Sequence, residues 1–231
     1  MNVTLAGQPA YTIAYCALRV GESIFADRGA MLAMSDGIRV SGSLPGGIGK
    51  SILRKELGGE SFFFTEFTAE QDGAWVGLSP KFPGDMRLLH LEETGDMVIL
   101  VGAVVARDHS VKLDTQAGNL GSVLMHEGLF LLSATGVGGV LLGAYGAIIE
   151  VPLQEGQEII VDTAHLIAWN KGMDFKVGPL GSVVTSLVSG EGLVAQLTGP
   201  GHVFIQTRAE QGLRDWILHP GGGQNKGHHG E

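Results

Sequence analysis

Short runs in which apolar and polar residues alternate recur along the whole chain, and glycine-led turns separate them. The turns at 21–22, 95–96 and 156–157 each lead into such a run. Alternation with a period of two is the signature of a half-buried β-strand, and glycine followed by a polar residue is typical of the turns between strands. Stretches with a helical period are short, so no strand–helix–strand pattern emerges. The pattern therefore predicts an all-β protein.

The same order of elements occurs three times, starting near Gly21, Gly95 and Gly156. Each copy has a glycine-led turn, three short strands and then a second block, in which a glycine opens a further strand and a glycine turn follows it. A unit of this size buries little surface alone, whereas stacked units share a core. We therefore predict three β repeats and a disordered tail rich in glycine and histidine: residues 11–90, 91–151, 152–218 and 219–231.

A short segment with serine and aliphatic residues precedes the second block of each copy, at 49–57, 120–124 and 180–187. The first of these segments has apolar residues on one side of one or two predicted helical turns. Two interpretations stay open, because these residues either pack in the core or contact another copy of the chain or a partner. The candidate contact residues are Ile52, Leu53, Leu57, Val123, Leu124, Val183, Val184 and Leu187.

The longest uncharged stretch, residues 128–149, has the length of a membrane-spanning helix. Its glycines argue against a helix, since each costs about 1 kcal/mol in a helix interior. We predict two buried strands around a glycine turn, and membrane contact is the alternative. Glycine hairpins are predicted at 72–73, 138–139 and 199–201, and residues 215–218 are predicted to close the fold.

Composition and charge narrow the class of protein. The chain has 231 residues, 37 of them glycine, and a formal net charge of −9. Glycine shows no Gly-X-Y period, so the chain is not collagen, and a hydrophobic content of 44% is too high for a disordered chain. Proteins that bind a phosphate backbone normally have a basic surface, so nucleic acid is not an expected partner.

The cysteine content and the N-terminal segment bear on the compartment. The single Cys16 lies in an apolar run, where a buried and inert thiol is expected. One cysteine forms no intramolecular disulfide, which fits a reducing compartment. The first basic residue is Arg19, so the segment before it lacks the basic start of a secretory signal. We predict a cytoplasmic protein.

Motifs that carry chemistry are incomplete in this sequence. The stretch 46–51 resembles a phosphate-binding loop, but Leu44 stands where that pattern needs its first glycine. The histidines form no H-x-H or H-x-x-x-H pair, which a metal-binding β-barrel enzyme normally places on one strand. A Gly-x-Ser-x-Gly nucleophile turn is also missing. We therefore expect no enzyme, no cofactor and no native metal site.

Two segments resemble the mitochondrial-biogenesis (altered inheritance of mitochondria) family. Residues 21–31, GESIFADRGAM, are similar to its opening signature, and residues 192–208, with the element TGPGHVFIQTR, are similar to its closing one. The resemblance implies three tandem copies of the unit found in the tryptophan RNA-binding attenuation protein, a short variant of the double-stranded β-helix. It also implies that three chains close into a ring. The fungal member of the family is implicated in organising the mitochondrial inner membrane.

The RNA-binding activity of the ring-shaped relative does not carry over to this chain. A ring that winds RNA needs lysines or stacking aromatic residues once per repeat. Lys50 corresponds to Gly121 in the second copy and to Gly181 in the third. The first functional hypothesis is therefore a non-enzymatic assembly or scaffold protein, a homotrimeric ring that binds another protein or a peripheral membrane complex.

Two other hypotheses stay open. A ring can bind a small ligand between adjacent repeats, with Trp75, Trp169 and Trp216 as candidate lining residues, although a buried core tryptophan is the more common case. An enzyme with a pocket in the β-helix is the third hypothesis, and it needs a convergent set of polar residues that the sequence does not reveal.

Overall fold

The computed structural model describes residues 1–43, 64–115, 130–179 and 193–218. Within these residues antiparallel strands dominate and the helices are short. The all-β prediction is confirmed. The strands form four sheets, which we number in the order in which they stack.

The second and third sheets are the inner ones, with six strands each. In spatial order, the second sheet contains β5 (Ile38–Ser43), β6 (Phe64–Ala69), β3 (Ser23–Asp27), β10 (Val104–Asp108), β13 (Gly139–Gly143) and β8 (Met86–His90). The third sheet contains β11 (Val111–Thr115), β12 (Leu131–Gly136), β9 (Met97–Leu100), β16 (Leu166–Asn170), β19 (Gly201–Gln206) and β14 (Ile148–Leu153).

The first and fourth sheets are the outer ones, and they are smaller. The first sheet contains β1 (Asn2–Ala6), β2 (Ile13–Leu18), β7 (Ala74–Leu78) and β4 (Met31–Met34). The fourth contains β15 (Glu158–Asp162), β18 (Leu193–Thr198) and β17 (Asp174–Pro179). The helical elements are α1 (Leu91–Thr94), α2 (Glu210–Leu218) and two 3-10 turns at Val101–Ala103 and Thr163–His165.

Strand pairing recurs along the chain with a period of six strands. Adding six to each strand number of the second sheet gives the strand order of the third. Adding six to β11, β12 and β9 gives β17, β18 and β15, which are the three strands of the fourth sheet. Subtracting six from β10, β13 and β8 gives β4, β7 and β2 of the first sheet. Strand β1 and helix α2 lie outside this pattern.

Three clusters of buried side chains fill the spaces between successive sheets. In β3, Ile24 and Ala26 belong to the cluster between the first and second sheets, and Phe25 belongs to the cluster between the second and third. In β9, Met97 and Ile99 face the second sheet while Val98 faces the fourth. Strands in the middle of the inner sheets, such as β3 and β9, are thus buried on both faces, which accounts for their nearly continuous apolar sequences.

The uncharged stretch 128–149 is explained by this two-sided burial. Strands β12 and β13 lie in the middle of the inner sheets, and β14 follows on the edge of the third. The prediction of buried strands in this stretch is confirmed. Among the described residues, no helix is long and apolar enough to cross a membrane.

The predicted glycine hairpins are wrong. The strands on either side of each turn lie in different sheets, so β6 and β7, β12 and β13, and β18 and β19 do not pair with each other. The reason is that β12 and β18 already have a partner on both sides, so the following strand joins the preceding sheet of the stack instead. Gly136 and Gly138, at φ values of 110° and 126°, allow the chain to cross between sheets.

Residues 215–218 do not close the fold as a packed segment. They form the end of α2, in which no residue is buried. The apolar residues of this helix follow a helical spacing of three and four positions rather than strand alternation, because Leu213, Trp216 and Ile217 share one face.

Four loop segments stack at one end of the sheets, and we call them the loop column: residues 7–12, 83–85, 144–147 and 207–208. Backbone hydrogen bonds join each segment to the next. The Thr12 amide donates to the Gly84 carbonyl (3.0 Å), the Asp85 amide to the Gly146 carbonyl (2.8 Å) and the Thr207 amide to the Ala147 carbonyl (3.1 Å).

The closing sequence element TGPGHVFIQTR supplies side chains to the loop column. Gln206 accepts a hydrogen bond from the Tyr145 amide (2.9 Å) and donates one to the Ala164 carbonyl (3.0 Å). The Thr207 hydroxyl accepts one from the Ala147 amide (3.0 Å). These polar residues therefore stabilise the fold by satisfying loop backbone groups.

We expect the Cys16 thiol to be protected in the folded protein. Its side chain is fully buried between the first and second sheets, and burial raises the pKa of the thiol to about 12. At pH 8 the reactive thiolate should be about a thousandfold scarcer than in unfolded chain. Ellman's reagent should thus label the protein quickly only in guanidinium. The control is Cys16→Ala with Val137→Cys, an exposed position that should label at once; fast labelling of native Cys16 would contradict this placement.

Gln206→Leu should destabilise the fold, because it leaves the Tyr145 amide and the Ala164 carbonyl without their partner. The expected loss in the free energy of unfolding is about 1–3 kcal/mol. Urea denaturation at one fixed protein concentration measures it. Gln211→Leu is the matched control, since Gln211 is exposed on α2 and its loss should cost less than about 0.5 kcal/mol. Equal effects of the two variants would refute the role given to Gln206.

Candidate assembly site at the unpaired sheet edges

The predicted contact residues fall outside the described part of the chain. This holds for all eight of them: Ile52, Leu53, Leu57, Val123, Leu124, Val183, Val184 and Leu187. Among the described residues, the candidate contact surfaces are the edges of two strands, β4 in the first sheet and β15 in the fourth.

Strands β4 and β15 each lack a neighbour that their counterparts have. In the inner sheets, β3 pairs with β10 and β9 pairs with β16, so that each strand pairs with the one seven strands later in the chain. The corresponding strands at the two ends of the pattern are β15 and β4. Among the described residues, β15 pairs only with β18, and β4 pairs only with β7.

Strand β4 has an exposed apolar sequence, MLAM. All four residues are exposed, and Met34 retains 39% exposure although it lies opposite the core residue Val76. A register shift between Met31 and Ala33 matches the shifts in its counterparts β10 and β16. The backbone of β4 thus has the form of an interior strand, and it carries none of the charges or prolines that usually protect an edge.

Strand β15 presents one large apolar residue outward. Val161 packs in the core between the third and fourth sheets, and Ile159 packs against it, whereas Ile160 points to the other face and is 58% exposed. Its counterparts at this position, Phe25 and Val98, are both buried. Glu158, at the start of the strand, accepts a hydrogen bond from Gln196 (2.9 Å), which turns its charge away from the free edge.

A partly open apolar face adjoins each free edge. On the third sheet, Ile149 and Ile205 lie opposite each other on the face toward the fourth sheet, where Ile149 stays exposed because the fourth sheet has only three strands. On the outer face of the first sheet, Tyr15 is exposed and makes an edge-to-face contact with Trp75, at 5.7 Å between ring centroids. Both faces have the composition of an interface core.

The inner junctions show what such an edge contains when it is paired. Between β3 and β10, Arg107 lies opposite Phe25, with its guanidinium 4.2 Å from the ring centre, and donates to the Val111 carbonyl (2.6 Å). Burial lowers the pKa of Arg107. Between β9 and β16, Trp169 lies opposite Val98 and stacks on Phe175 at 4.4 Å. The facing pair is therefore fully buried at the second junction, whereas at the first Phe25 is buried and Arg107 is half-buried.

The three tryptophans do not line one common site. Trp169 is buried in the core, Trp75 is half-buried on the first sheet, and Trp216 is exposed on α2. Burial in the core is the common case for Trp169, and the hypothesis that tryptophans line ligand sites between adjacent repeats stays a prediction.

An open groove of about 530 Å³ lies between the start of β3 and the β10–β11 turn. Its polar lining includes Glu22, Ser23, Glu66, Asp108 and His109. Asp108 is engaged by the backbone, because its carboxylate accepts a hydrogen bond from the Gly139 amide at 2.6 Å. Within the described ranges, no group of three histidine, cysteine or acidic side chains is arranged to hold a metal ion.

Comparison with known proteins agrees with this fold. Residues 3–208 match the family model described as Mitochondrial biogenesis AIM24. Uncharacterized protein M6_Spy0233 of Streptococcus pyogenes serotype M6 is 29% identical over an alignment of 198 residues that covers 82% of this chain and 79% of that protein. The crystal structure of protein SPYM3_0169 from Streptococcus pyogenes superimposes with a TM-score of 0.75 at 25% identity, covering 94% of this chain and 98% of that one. Because the family match spans nearly the whole described fold, the chain belongs to the mitochondrial biogenesis AIM24 family.

Proposed function

We propose that this protein is a non-enzymatic assembly protein, a homotrimeric ring that presents its surface to a protein partner or a peripheral membrane complex. The observation that carries the proposal is the pair of complementary free edges, β4 at one end of the stack and β15 at the other. Each edge lacks the kind of strand that the other provides.

Three tandem repeats form the basis of the ring. Their support is the six-strand period of the pairing, in which each repeat contributes strands to two successive sheets. The resemblance to the attenuation-protein unit implies the same organisation, a short double-stranded β-helix. In the proposed ring, the fourth sheet of one chain and the first sheet of the neighbouring chain together make one complete sheet.

Joining β15 of one chain to β4 of the neighbouring chain completes this sheet. The combined order is β17, β18, β15, β4, β7, β2 and β1, which repeats the order of the inner sheets and adds β1 at the end. The exposed backbone groups of both edges would then be paired, and Ile160 would leave solvent.

The inner junctions also give the register. Ala106 lies opposite Ala26, and Ala168 lies opposite Ile99. Ala33 follows the register shift of β4 as these two alanines follow theirs. Val161, like Ile99, lies two residues before a 3-10 turn.

The register proposed between β4 of one chain and β15 of its neighbour therefore places Ala33 opposite Val161 and Met34 opposite Ile160. This places the two exposed apolar side chains, Met34 and Ile160, on the same face of the joined sheet. A head-to-tail contact of this kind either closes into a ring or continues into a filament. The ring of three is supported by the family resemblance.

A binding role, rather than catalysis, is supported by the incomplete chemical motifs of the sequence and by the family's description as one of mitochondrial biogenesis. A ring built from repeats offers the same surface several times, which suits multivalent attachment to a partner. The competing function, a small ligand held between repeats, would reveal itself as extra mass on the assembled protein.

Native mass spectrometry should find untagged protein at three times the chain mass of 24.2 kDa. Ile160→Lys should convert it to monomer at micromolar concentration, because a lysine on a free edge resists pairing. Val137→Lys, on an exposed turn away from both edges, is the matched control and should stay trimeric. Circular dichroism checks that the lysine variants stay folded. A wild-type monomer, or a trimeric Ile160→Lys variant, would overturn the edge pairing.

A disulfide tests the register itself. In a Cys16→Ala background, Met34→Cys with Ile160→Cys should form disulfides between copies, since directly opposite residues have Cα atoms about 4.5–5.5 Å apart. Non-reducing electrophoresis should show covalent trimers. In the control Ala33→Cys with Ile160→Cys, the two thiols should lie on opposite faces and stay reduced. Efficient cross-linking of the control pair instead would mean that the register is shifted by one residue.

A further inference from the structure

Helix α2 carries an apolar face that the described chain leaves largely uncovered, since Leu213 is half-buried and Trp216 and Ile217 are exposed. Leu213, Trp216 and Ile217 lie at a spacing of three and four residues, so they share one side of the helix. Trp216 is 68% exposed, and no residue of the helix is buried. An exposed tryptophan on an amphipathic helix is a typical anchor of an interface.

The helix begins where the loop column ends. Thr207 and Arg208 donate backbone hydrogen bonds to the carbonyls of Ala147 and Tyr145, at 3.1 and 3.2 Å, and α2 starts at Glu210. The first turn of the helix is therefore held close to the last member of the column.

The other end of the loop column is also apolar and exposed. Its first segment, residues 7–12, contains Tyr11, which is 75% exposed and is followed by the half-buried Ile13 at the start of β2. The Tyr11 amide donates to the Gly7 carbonyl at 3.2 Å, which fixes this loop as a compact turn. The two ends of the column thus each present an uncovered aromatic side chain.

The strand pattern brings these two ends together in the ring. Strands β8 and β14 follow the loop column and pair with the outer side of β13 and β19, in the second and third sheets. In the first sheet this place beside β7 belongs to β2. Within the described residues no strand follows β19, so α2 occupies the position in sequence that β8 and β14 have after the earlier loop segments.

We propose that α2 packs its apolar face on residues 11–13 of the next copy and acts as a strap across the junction. This inference rests on the proposed ring, because the next copy's β2 enters beside the start of α2 only when β15 and β4 are joined. The partner is a second copy of the chain. A lipid surface is disfavoured, since the charged residues of α2 are Glu210, Arg214 and Asp215, and membrane-surface helices are rich in basic residues.

The experiment compares two lysine variants of the full chain by analytical ultracentrifugation over a dilution series. Trp216→Lys should raise the concentration at which the trimer dissociates by roughly tenfold or more, as expected for a buried aromatic anchor. Gln211→Lys, on the polar face of the same helix, should leave that concentration unchanged. Tyr11→Ala should weaken the trimer as well, and combining it with Trp216→Lys should add little, because both changes remove the same contact.

The outcomes separate this inference from the ring itself. If wild-type protein is trimeric and Trp216→Lys dissociates at the same concentration, the strap is refuted while the edge pairing stands. If wild-type protein is not trimeric, the ring and the strap both fall. Flotation with vesicles of phosphatidylcholine and phosphatidylglycerol gives the remaining outcome: Trp216-dependent binding to vesicles, with an unchanged trimer, would assign the helix to lipid and overturn the proposal.

Discussion

Pairing between strands seven places apart in the chain is the interaction on which the architecture depends. It joins β3 to β10 and β9 to β16, and it places each of these strands in the middle of an inner sheet. Buried backbone amides and carbonyls need hydrogen-bond partners, so an inner strand without this neighbour would be costly. When this pairing is continued along the chain, β4 and β15 are the two strands for which the described residues provide no such neighbour.

Side chains at the two inner junctions differ although the backbone geometry is the same. One junction holds the half-buried Arg107 against Phe25, and the other buries Trp169 beside Val98. The Arg107 guanidinium is a costly choice in a core, and hydrogen bonds to backbone carbonyls together with the ring contact offset its burial. The edge strands have Met34 and Ile160 in the same places. These two side chains carry no charge that would have to be desolvated, so their burial in the proposed junction would be favourable.

Much of the strand content could be predicted from alternation and glycine turns, but the pairing could not. A turn such as 136–139 looks the same whether the next strand folds back or crosses to another sheet, because local sequence reports only the turn. The same limit applies to free edges. Whether MLAM at 31–34 is an interior strand or a free edge depends on a neighbour far along the chain, and only the six-strand pattern reveals that β4 lacks one.

Strand β1 and helix α2 stand outside the six-strand pattern, and they lie at opposite ends of the described fold. In a closed ring both would meet at the junction between copies, β1 beyond β2 at the rim of the joined sheet and α2 beside the start of β2. The β3–β10 and β9–β16 pairings lie within one chain, so the covalent backbone already keeps these strands close together. A junction between separate chains must offset the loss of translational and rotational freedom on association, which costs several kcal/mol before any contact is gained. The extra elements therefore fall where additional contact area has the greatest effect on assembly.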